Sequence, residues 1–309
     1  MPHPPQPTPS EGGRRALVRH LLPLVVVAAL IAVAGVLAGT EAARGPARTG
    51  SGAPASRTPS PRPTQARSHS RCGHPVAVPI LMYHHVAPRR AGSPLLWVTT
   101  RQLAGELAFL RRHGYHTVTL MQVYECWTKG TALPARPVVL SFDDGYVDQY
   151  RFAARLLRRF GDVGMLDLIV DNLGRALTVG DVLRMSSWGW EIDSHTITHR
   201  DLTRLRPGRV RYELVGSRDL LRRYLDLPID FFCYPGGAFD AAVLRQVSQA
   251  GYLAATTVDF GLARPGRLFA LPRIVVFGGE RAGLFARSLS GSAAAGRAID
   301  RAVAREARS

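Results

Sequence analysis

The sequence has few of the residues that build several common kinds of site. Its 309 residues include three cysteines, too few for a small disulfide-linked scaffold. Only one of its 40 basic residues is a lysine, and no basic stripe is interleaved with aromatic side chains. That pattern argues against a nucleic-acid-binding protein, although the formal net charge is +17. No glycine-rich phosphate turn follows the first predicted strand, which argues against an open dinucleotide-binding sheet.

Long apolar runs are also missing, with one exception at residues 21–38. These 18 residues carry no charge, and at about 1.5 Å per residue they would span about 27 Å, enough for a bilayer core. Three arginines precede the run, so the positive-inside rule predicts that residues 1–20 are a short cytoplasmic N-terminus. The sequence therefore predicts a single-pass signal anchor in the cell membrane. The alternative is a cleaved signal peptide, and both export the rest of the chain.

The exported part begins with a segment of different composition. Residues 39–75 are rich in Pro, Ser and Arg without apolar periodicity, which predicts a disordered, flexible tether. Residues 76–290 form the predicted folded domain, and residues 291–309 an Ala/Arg-rich tail. The domain has 27 basic and 19 acidic residues, a net charge of +8 that suits an anionic cell envelope.

The cysteines allow one disulfide in an oxidising compartment. Cys72 and Cys126 are the expected pair. Cys233 alternates with bulky neighbours in FFCYP and is predicted to be a small buried side chain rather than a nucleophile.

Short apolar runs alternate with longer amphipathic stretches along the predicted domain. Eight strands are predicted, at Val78–His84, Tyr115–Thr119, Pro137–Phe142, Val163–Val170, Trp190–Asp193, Phe231–Tyr234, Leu253–Thr257 and Leu271–Val276. Five helices are predicted, at Thr100–His113, Asp148–Phe160, Val179–Ser187, Pro207–Leu225 and Asp240–Ala250. This alternation predicts an α/β fold with a mostly parallel sheet, closed into a (β/α) barrel or left as an open doubly wound sheet. In a barrel, functional groups lie at the carboxyl ends of the strands.

Polar clusters follow four of the predicted strands, and two of them suggest a metal site. Asp143 and Asp144 leave the apolar strand VVLSF, so one carboxylate can bind a metal while the other faces water or substrate. Gly145 permits the tight turn that exposes both. His195 and His199 are four residues apart, so both imidazoles can reach one ion, although paired surface histidines are the ordinary alternative.

The other two clusters suggest groups that would act beside the metal. His84 ends the predicted strand Val78–His84, within PILMYHH, and a histidine with a pKa near 6.5 can act as an acid complementary to Asp143 as base. His85 points to the other side of the strand. The turn that contains Gly236 can present a backbone N–H to a developing oxyanion, although a plain turn has the same sequence.

These elements together resemble one enzyme family. SFDDGY, HTITH and FCYPGG occur in this order, each after an apolar strand, and GYLAATT and LPRI follow. The set is similar to the polysaccharide deacetylases, also called the NodB-homology or carbohydrate esterase family four domain, over about residues 76–280. The upstream LMYHHV resembles the branch that deacetylates poly-N-acetylglucosamine, in which the barrel is circularly permuted and the acid histidine comes early. The resemblance implies a distorted (β/α) barrel and a polysaccharide N-deacetylase.

The resemblance also implies a role for each site residue. Asp143 would be the general base and His84 the general acid. Asp144, His195 and His199 would bind a divalent metal, most simply Zn²⁺, with Co²⁺ or Ni²⁺ as alternatives. The backbone N–H of Gly236 would complete an oxyanion hole. Arg273 in LPRI would pair with Asp143 and hold it ionised, or form a structural ion pair only.

Several departures from the family pattern concern the substrate. Gly236 stands where a Tyr often lies between Pro and Gly, and Asp167 stands in the strand GMLDLIV where the family has the apolar ATFF. The loop from Val170 to Gly180 is also atypical. The partners expected are a polysaccharide and the membrane, with no nucleic acid or protein partner. An O-acetyl esterase acting on xylan and an inactive, membrane-tethered carbohydrate-binding protein remain as alternatives, and biofilm glucosamine polymer, chitin-like oligomer and peptidoglycan all remain as substrates.

Overall fold

The computed structural model describes residues 76–306. In this part of the chain the strands are β1 (Ile80–Tyr83), β2 (His85–Ala87), β3 (Trp97–Thr99), β4 (His116–Thr117), β5 (Pro137–Asp144), β6 (Met165–Leu168), β7 (Glu191–Ser194), β8 (Phe231–Cys233), β9 (Ala254–Phe260) and β10 (Leu271–Val275). The α-helices are α1 (Thr100–Arg112), α2 (Leu120–Lys129), α3 (Arg155–Phe160), α4 (Val179–Ser187), α5 (Pro207–Leu225), α6 (Ala241–Gln249), α7 (Ala282–Ser288) and α8 (Ala293–Glu306).

Seven of these strands close into a parallel barrel. Strands β5 to β10 lie side by side in chain order, and β1 fits between β10 and β5. Leu81 of β1 is opposite Ile274 of β10 on one side and Leu140 of β5 on the other. The (β/α) barrel predicted from the alternation of strands and helices is therefore confirmed. Strand β4 adds to the edge of β5, and β2 pairs with β3 outside the barrel.

The interior of the barrel is apolar at one end and polar at the other. Side chains from the amino-terminal halves of the strands, including Ile80, Val139, Phe231 and Leu271, pack with those of α2 and close that end. A larger apolar cluster fills the space between the strands and the surrounding helices. Because the amino-terminal end is closed, the polar groups in the barrel face its carboxyl-terminal end.

Local signals account for the ends of several helices. Thr119 begins α2 with a capping box in which Gln122 reciprocates, and Gly130 ends it in the left-handed conformation. Asp240 begins α6 by accepting hydrogen bonds from the N–H groups of Ala242 and Val243 (both 2.8 Å). Gly251 has φ +83° just past the end of α6, so an aspartate and a left-handed glycine mark the two ends of this helix.

The structure corrects the prediction in three places. Residues 291–309 were predicted to be a tail, but residues 293–306 form α8, in which Ala295, Ile299 and Ala302 are buried in the domain core. These three residues recur at helical spacing and form one buried face of α8. The alanine-rich composition made this face hard to recognise in the sequence. The predicted helix Asp148–Phe160 begins with a π-helical segment, Gln149–Ala154. Elements β2, β3, α2 and α7 were not predicted.

The predictions of a membrane anchor, a tether and a disulfide all assume that the domain is exported from the cell. No helix between residues 76 and 306 is long and apolar enough to cross a bilayer. The predicted anchor at residues 21–38 and the tether at residues 39–75 lie outside the described residues, as does Cys72. Cys126 is disulfide-bonded, whereas Cys233 is a free, buried thiol.

Candidate active site and metal centre

The first cluster lies where β5 ends in a sharp turn. Asp144 has φ +79° and Gly145 has φ +82°, so the chain reverses directly after the two aspartates. A Cβ at Gly145 would overlap the side chain of Leu168 on the neighbouring strand, so only glycine fits this turn. The side-chain amide of Asn172 donates to the backbone carbonyl of Asp144 (2.8 Å) and holds the turn in place.

Asp144 at this turn and two predicted histidines, His195 and His199, place their potential ligand atoms close to one another. Oδ1 of Asp144 lies 3.5 Å from Nε2 of His195 and 3.5 Å from Nε2 of His199, and the two nitrogens are 3.1 Å apart. Oδ1 of Asp144 is buried and has no hydrogen-bond partner. Ligands about 2.0–2.1 Å from a tetrahedral ion lie about 3.3–3.4 Å from one another. The spacing and the unpartnered oxygen therefore fit one divalent metal ion.

Both histidines are in the form that binds a metal. Nδ1 of His195 lies 2.8 Å from the carbonyl oxygen of Cys233, which can only accept, so the proton is on Nδ1 and the Nε2 lone pair is free. Burial lowers the pKa of His195. Burial and the neighbouring His195 lower the pKa of His199 to about 4. Both imidazoles are therefore neutral at physiological pH, as metal ligands must be.

A second group of potential ligands consists of Asp143, His195 and Cys233. The guanidinium of Arg273 occupies this position, with Nη1 and Nη2 at 2.7 and 2.8 Å from the two carboxylate oxygens of Asp143. Nη2 also lies 3.2 Å from the sulfur of Cys233. A metal ion would have to displace this buried cation, so the Asp144 group is the candidate metal site.

The ion pair between Asp143 and Arg273 is fully buried and held on several sides. Arg273 also donates to the carbonyl of Thr257 (2.8 Å) and to the hydroxyl of Ser141 (3.0 Å). Burial alone would raise the pKa of Asp143, but the bidentate contact with Arg273 outweighs it and holds the pKa well below its usual range. Asp143 is therefore ionised across the whole physiological pH range.

His84 lies beside this carboxylate. Its Nε2 is 3.9 Å from Oδ2 of Asp143, and its Nδ1 is buried without a hydrogen-bond partner. The register explains the proximity, because Tyr83 of β1 is opposite Phe142 of β5 and the next residues of each strand are His84 and Asp143. The side-chain amide of Gln149 donates to both of their backbone carbonyls and ties the strand ends together. His85 lies apart and binds Asp148 (2.7 Å).

Gly236 lies in the turn that follows β8, next to the strand end that holds His195. It has φ +58°, and Gly237 has φ +71°. The N–H of Gly237 is bonded to the carbonyl of Tyr234 (2.8 Å), whereas the N–H of Gly236 has no acceptor among residues 76–306. The structure thus brings Asp143, Asp144, His84, His195, His199 and Arg273 together and places the Gly236 turn at the same end of the barrel.

The residue that supports the histidine loop was not predicted from the sequence. Glu213 of α5 is fully buried and accepts hydrogen bonds from the N–H groups of Ile197 and Thr198 (both 3.0 Å) and from the Thr198 hydroxyl (2.8 Å). It fixes the loop between His195 and His199, the two candidate metal ligands. The signal for it was a carboxylate on the apolar face of α5, between Val210 and Leu214.

Asp167, which stood out in the sequence, lies inside the barrel. It is opposite Asp143 on β5 and Asp193 on β7, and its Oδ2 is 3.5 Å from Nη1 of Arg273. Burial, followed by the charge of Asp143, raises the pKa of Asp167 well above its usual value. Burial thus favours the uncharged form of Asp167, and its complete burial separates it from any substrate.

Replacing Glu213 with Ala should loosen the histidine loop. Two buried N–H groups would lose their acceptor, so we expect the free energy of unfolding to fall by about 2–4 kcal/mol. We also expect metal affinity to fall about tenfold, because the support of the ligand loop is lost. Chemical denaturation and metal titration measure the two effects. Asp219→Ala, on an exposed position of the same helix, is the control, and an equal loss there would contradict the assignment.

The known proteins to which this chain is similar are described as deacetylases. Residues 130–255 match the family model described as Polysaccharide deacetylase. YxkH of Bacillus subtilis (strain 168), whose name places it among the polysaccharide deacetylases, is 28% identical over 68% of this chain and 75% of that protein. The poly-β-1,6-N-acetyl-D-glucosamine N-deacetylase of Escherichia coli (strain K12) is 24% identical over 63% of this chain but only 36% of its own length. A Bacillus cereus crystal structure described as a polysaccharide deacetylase superposes with a TM-score of 0.63 at 26% identity, over 70% of both chains.

Proposed function

Because this chain carries a polysaccharide deacetylase domain, we propose that it is a metal-dependent hydrolase that removes N-acetyl groups from a GlcNAc-containing polysaccharide. The main support is the convergence of Asp144, His195 and His199 on one point, next to an ionised Asp143 and a histidine 3.9 Å from it. This arrangement provides a metal site, a base and an acid within one opening of the barrel.

The metal would be held by one carboxylate oxygen and two imidazole nitrogens. Zn²⁺ is our first choice because this donor set is typical of open zinc sites, and Co²⁺ and Ni²⁺ accept the same ligands. When bound, a divalent ion polarises the acetyl carbonyl and lowers the pKa of water.

The other residues would each move or hold a proton. Asp143 accepts a proton from the water that attacks the amide carbonyl, and Arg273 keeps the carboxylate ionised and oriented. The N–H of Gly236 donates to the oxygen that becomes negative in the tetrahedral intermediate. His84 donates a proton to the sugar nitrogen, so that the amine and acetate leave as separate products. No covalent intermediate with the protein is needed.

The polymer we propose first is β-1,6-linked poly-N-acetylglucosamine. The support is the similarity to the E. coli enzyme that acts on this polymer and the early position of His84, before the Asp143–Asp144 pair. Chitin-like oligomers and peptidoglycan are the substrates to compare with it. Acetate release from the three polymers by the purified full chain, with and without chelator, tests the choice.

We further propose that the domain acts outside the cell. The uncharged run at residues 21–38, preceded by arginines, would anchor the chain in the membrane, and residues 39–75 would hold the domain away from it. Cleavage of the anchor would instead release the same domain. A polysaccharide and the membrane are the only partners that the proposal requires.

His84→Ala should distinguish an N-deacetylase from an O-acetyl esterase. An amine is a poor leaving group without a proton, whereas an alcohol leaves more easily, so the loss on an amide should be larger. We expect the rate of acetate release to fall by about 10²–10⁴-fold on N-acetylglucosamine oligomers and about tenfold or less on acetylated xylan.

The wild-type protein supplies the control for this comparison. Faster wild-type turnover of acetylated xylan than of the glucosamine oligomers, with equal loss on both in His84→Ala, would favour the esterase. Metal binding without acetate release from any substrate would favour an inactive carbohydrate-binding protein.

A further inference from the structure

A cationic pocket lies on the outside of the barrel, in the groove between α3 and α4. Its volume is about 520 Å³, and it is lined by Tyr150, Arg155, Arg158, Arg159, Arg184 and Trp188. Arg158 and Arg159 are close to the start of β6, and Trp188 is three residues before β7 begins. The pocket therefore lies toward the amino-terminal end of the barrel, away from the metal-binding residues at the carboxyl-terminal end.

The four arginines of this pocket have no acidic partners. The guanidinium groups of Arg155, Arg158, Arg159 and Arg184 make no ion pair and no hydrogen bond with any residue between 76 and 306, whereas those of Arg273 and Arg222 are paired with aspartates. Three of the four recur on one face of α3 at spacings of three and four residues. Each like-charged pair at this spacing destabilises a helix by about 0.2–0.5 kcal/mol. An anion in the pocket would remove this repulsion.

Aromatic rings hold two of the guanidiniums in place. Cζ of Arg158 lies 4.7 Å from the centroid of the Trp188 ring, and Cζ of Arg155 lies 5.2 Å from that of Tyr150. The two rings are themselves stacked, with centroids 5.9 Å apart. A cation–π contact uses the face of the guanidinium and leaves the N–H groups at its edge unbound. The pocket therefore presents fixed donors of the geometry that carboxylates and phosphates accept.

We infer that this pocket binds an anionic saccharide unit, a sugar that carries a carboxylate or a phosphate. The donors and the charge select the anion. The pocket is concave and has two aromatic side chains in its wall, which fits a sugar ring better than the flat surface of a membrane. The chain would then hold an anionic glycan at one end of the barrel, independently of the proposed deacetylation at the other.

Binding of small soluble probes to the full chain tests the inference. We expect glucose 6-phosphate and digalacturonate to bind in isothermal titration calorimetry and glucose not to bind. Arg158→Gln combined with Arg184→Gln should weaken binding of both anions about tenfold or more, because two charge-assisted contacts are lost. Arg223→Gln combined with Arg245→Gln removes the same charge from exposed arginines elsewhere and should leave affinity within about twofold.

Further variants separate a built site from a general charge effect. Arg158→Lys combined with Arg184→Lys keeps the charge but removes the planar donors, so binding should still weaken several-fold. Thermal unfolding of each variant checks that the fold is intact. Equal losses in the Arg158/Arg184 and Arg223/Arg245 variants, or full affinity in the lysine variant, would overturn the inference. So would glycerol phosphate, a lipid headgroup, binding as tightly as glucose 6-phosphate.

Discussion

Replacing Asp143 with Asn should lower the rate of acetate release by about 10²–10⁴-fold while the protein still binds its metal. Asparagine has nearly the same shape, but its side chain does not accept a proton from water. The predicted metal ligands are Asp144, His195 and His199, and none of them is changed. Acetate release at saturating substrate and metal content by atomic emission measure the two quantities.

A second effect of this substitution needs its own control. Arg273 would lose its buried counter-ion, and an unpaired buried charge costs about 3–5 kcal/mol of stability. Asp167→Asn is the matched variant, because Asp167 is equally buried and lies 3.5 Å from the same guanidinium, but on strand β6 and outside the group of potential metal ligands. It should keep most of the activity, since burial favours the uncharged form of Asp167, which Asn resembles. A similar loss in both variants would mean that the charge balance around Arg273, rather than proton transfer, limits the reaction.

Replacing His195 with Ala should abolish both metal binding and activity. It removes one of three ligand atoms that lie within 3.5 Å of one another, and it leaves the Cys233 carbonyl without its donor. Mutation of residues that only support the ligands of a metal typically lowers metal affinity about 10–100-fold. We therefore expect the loss of a ligand itself to lower metal affinity by more than about 100-fold. Metal titration and acetate release are the measurements.

Chelation of the wild-type protein should reproduce this result. Activity should fall to the level of His195→Ala and return when Zn²⁺, Co²⁺ or Ni²⁺ is added back, which would also rank the three metals. His113→Ala is the control, because this exposed imidazole at the end of α1 contacts Phe109, through its carbonyl and its ring, and no residue of the candidate site. Turnover by His195→Ala close to that of the wild type would contradict the metal site.

Much of this site could be predicted because its residues directly follow apolar strands. An apolar strand such as VVLSF predicts its own burial and places the Asp143–Asp144 pair at its carboxyl end. The exposure expected for this pair is wrong, because both aspartates are buried. The four-residue spacing of His195 and His199 depends only on local geometry. All eight predicted strands are present for the same reason, with ends shifted by a few residues.

The rest depended on contacts between distant parts of the chain. No local pattern places β1 between β10 and β5, yet that register brings His84 to Asp143. The guanidinium of Arg273 contacts five residues that lie on four other strands. The acidic Glu213 on an apolar helix face was visible in the sequence, but its partners lie in a loop that only the folded chain brings near.

The backbone of the proposed metal site also limits how stable this domain can become. Five non-glycine residues between 76 and 306 have a left-handed backbone, and Asp144, Thr196 and His199 are three of them. Such a conformation costs a non-glycine residue about 1–2 kcal/mol. Glycine would relieve that strain at each position but would remove a ligand at Asp144 or His199, and at Thr196 the hydroxyl that accepts from the N–H of His199 (2.9 Å). Efforts to engineer a more heat-resistant form should therefore leave these three positions unchanged and seek their gains in the outer helices.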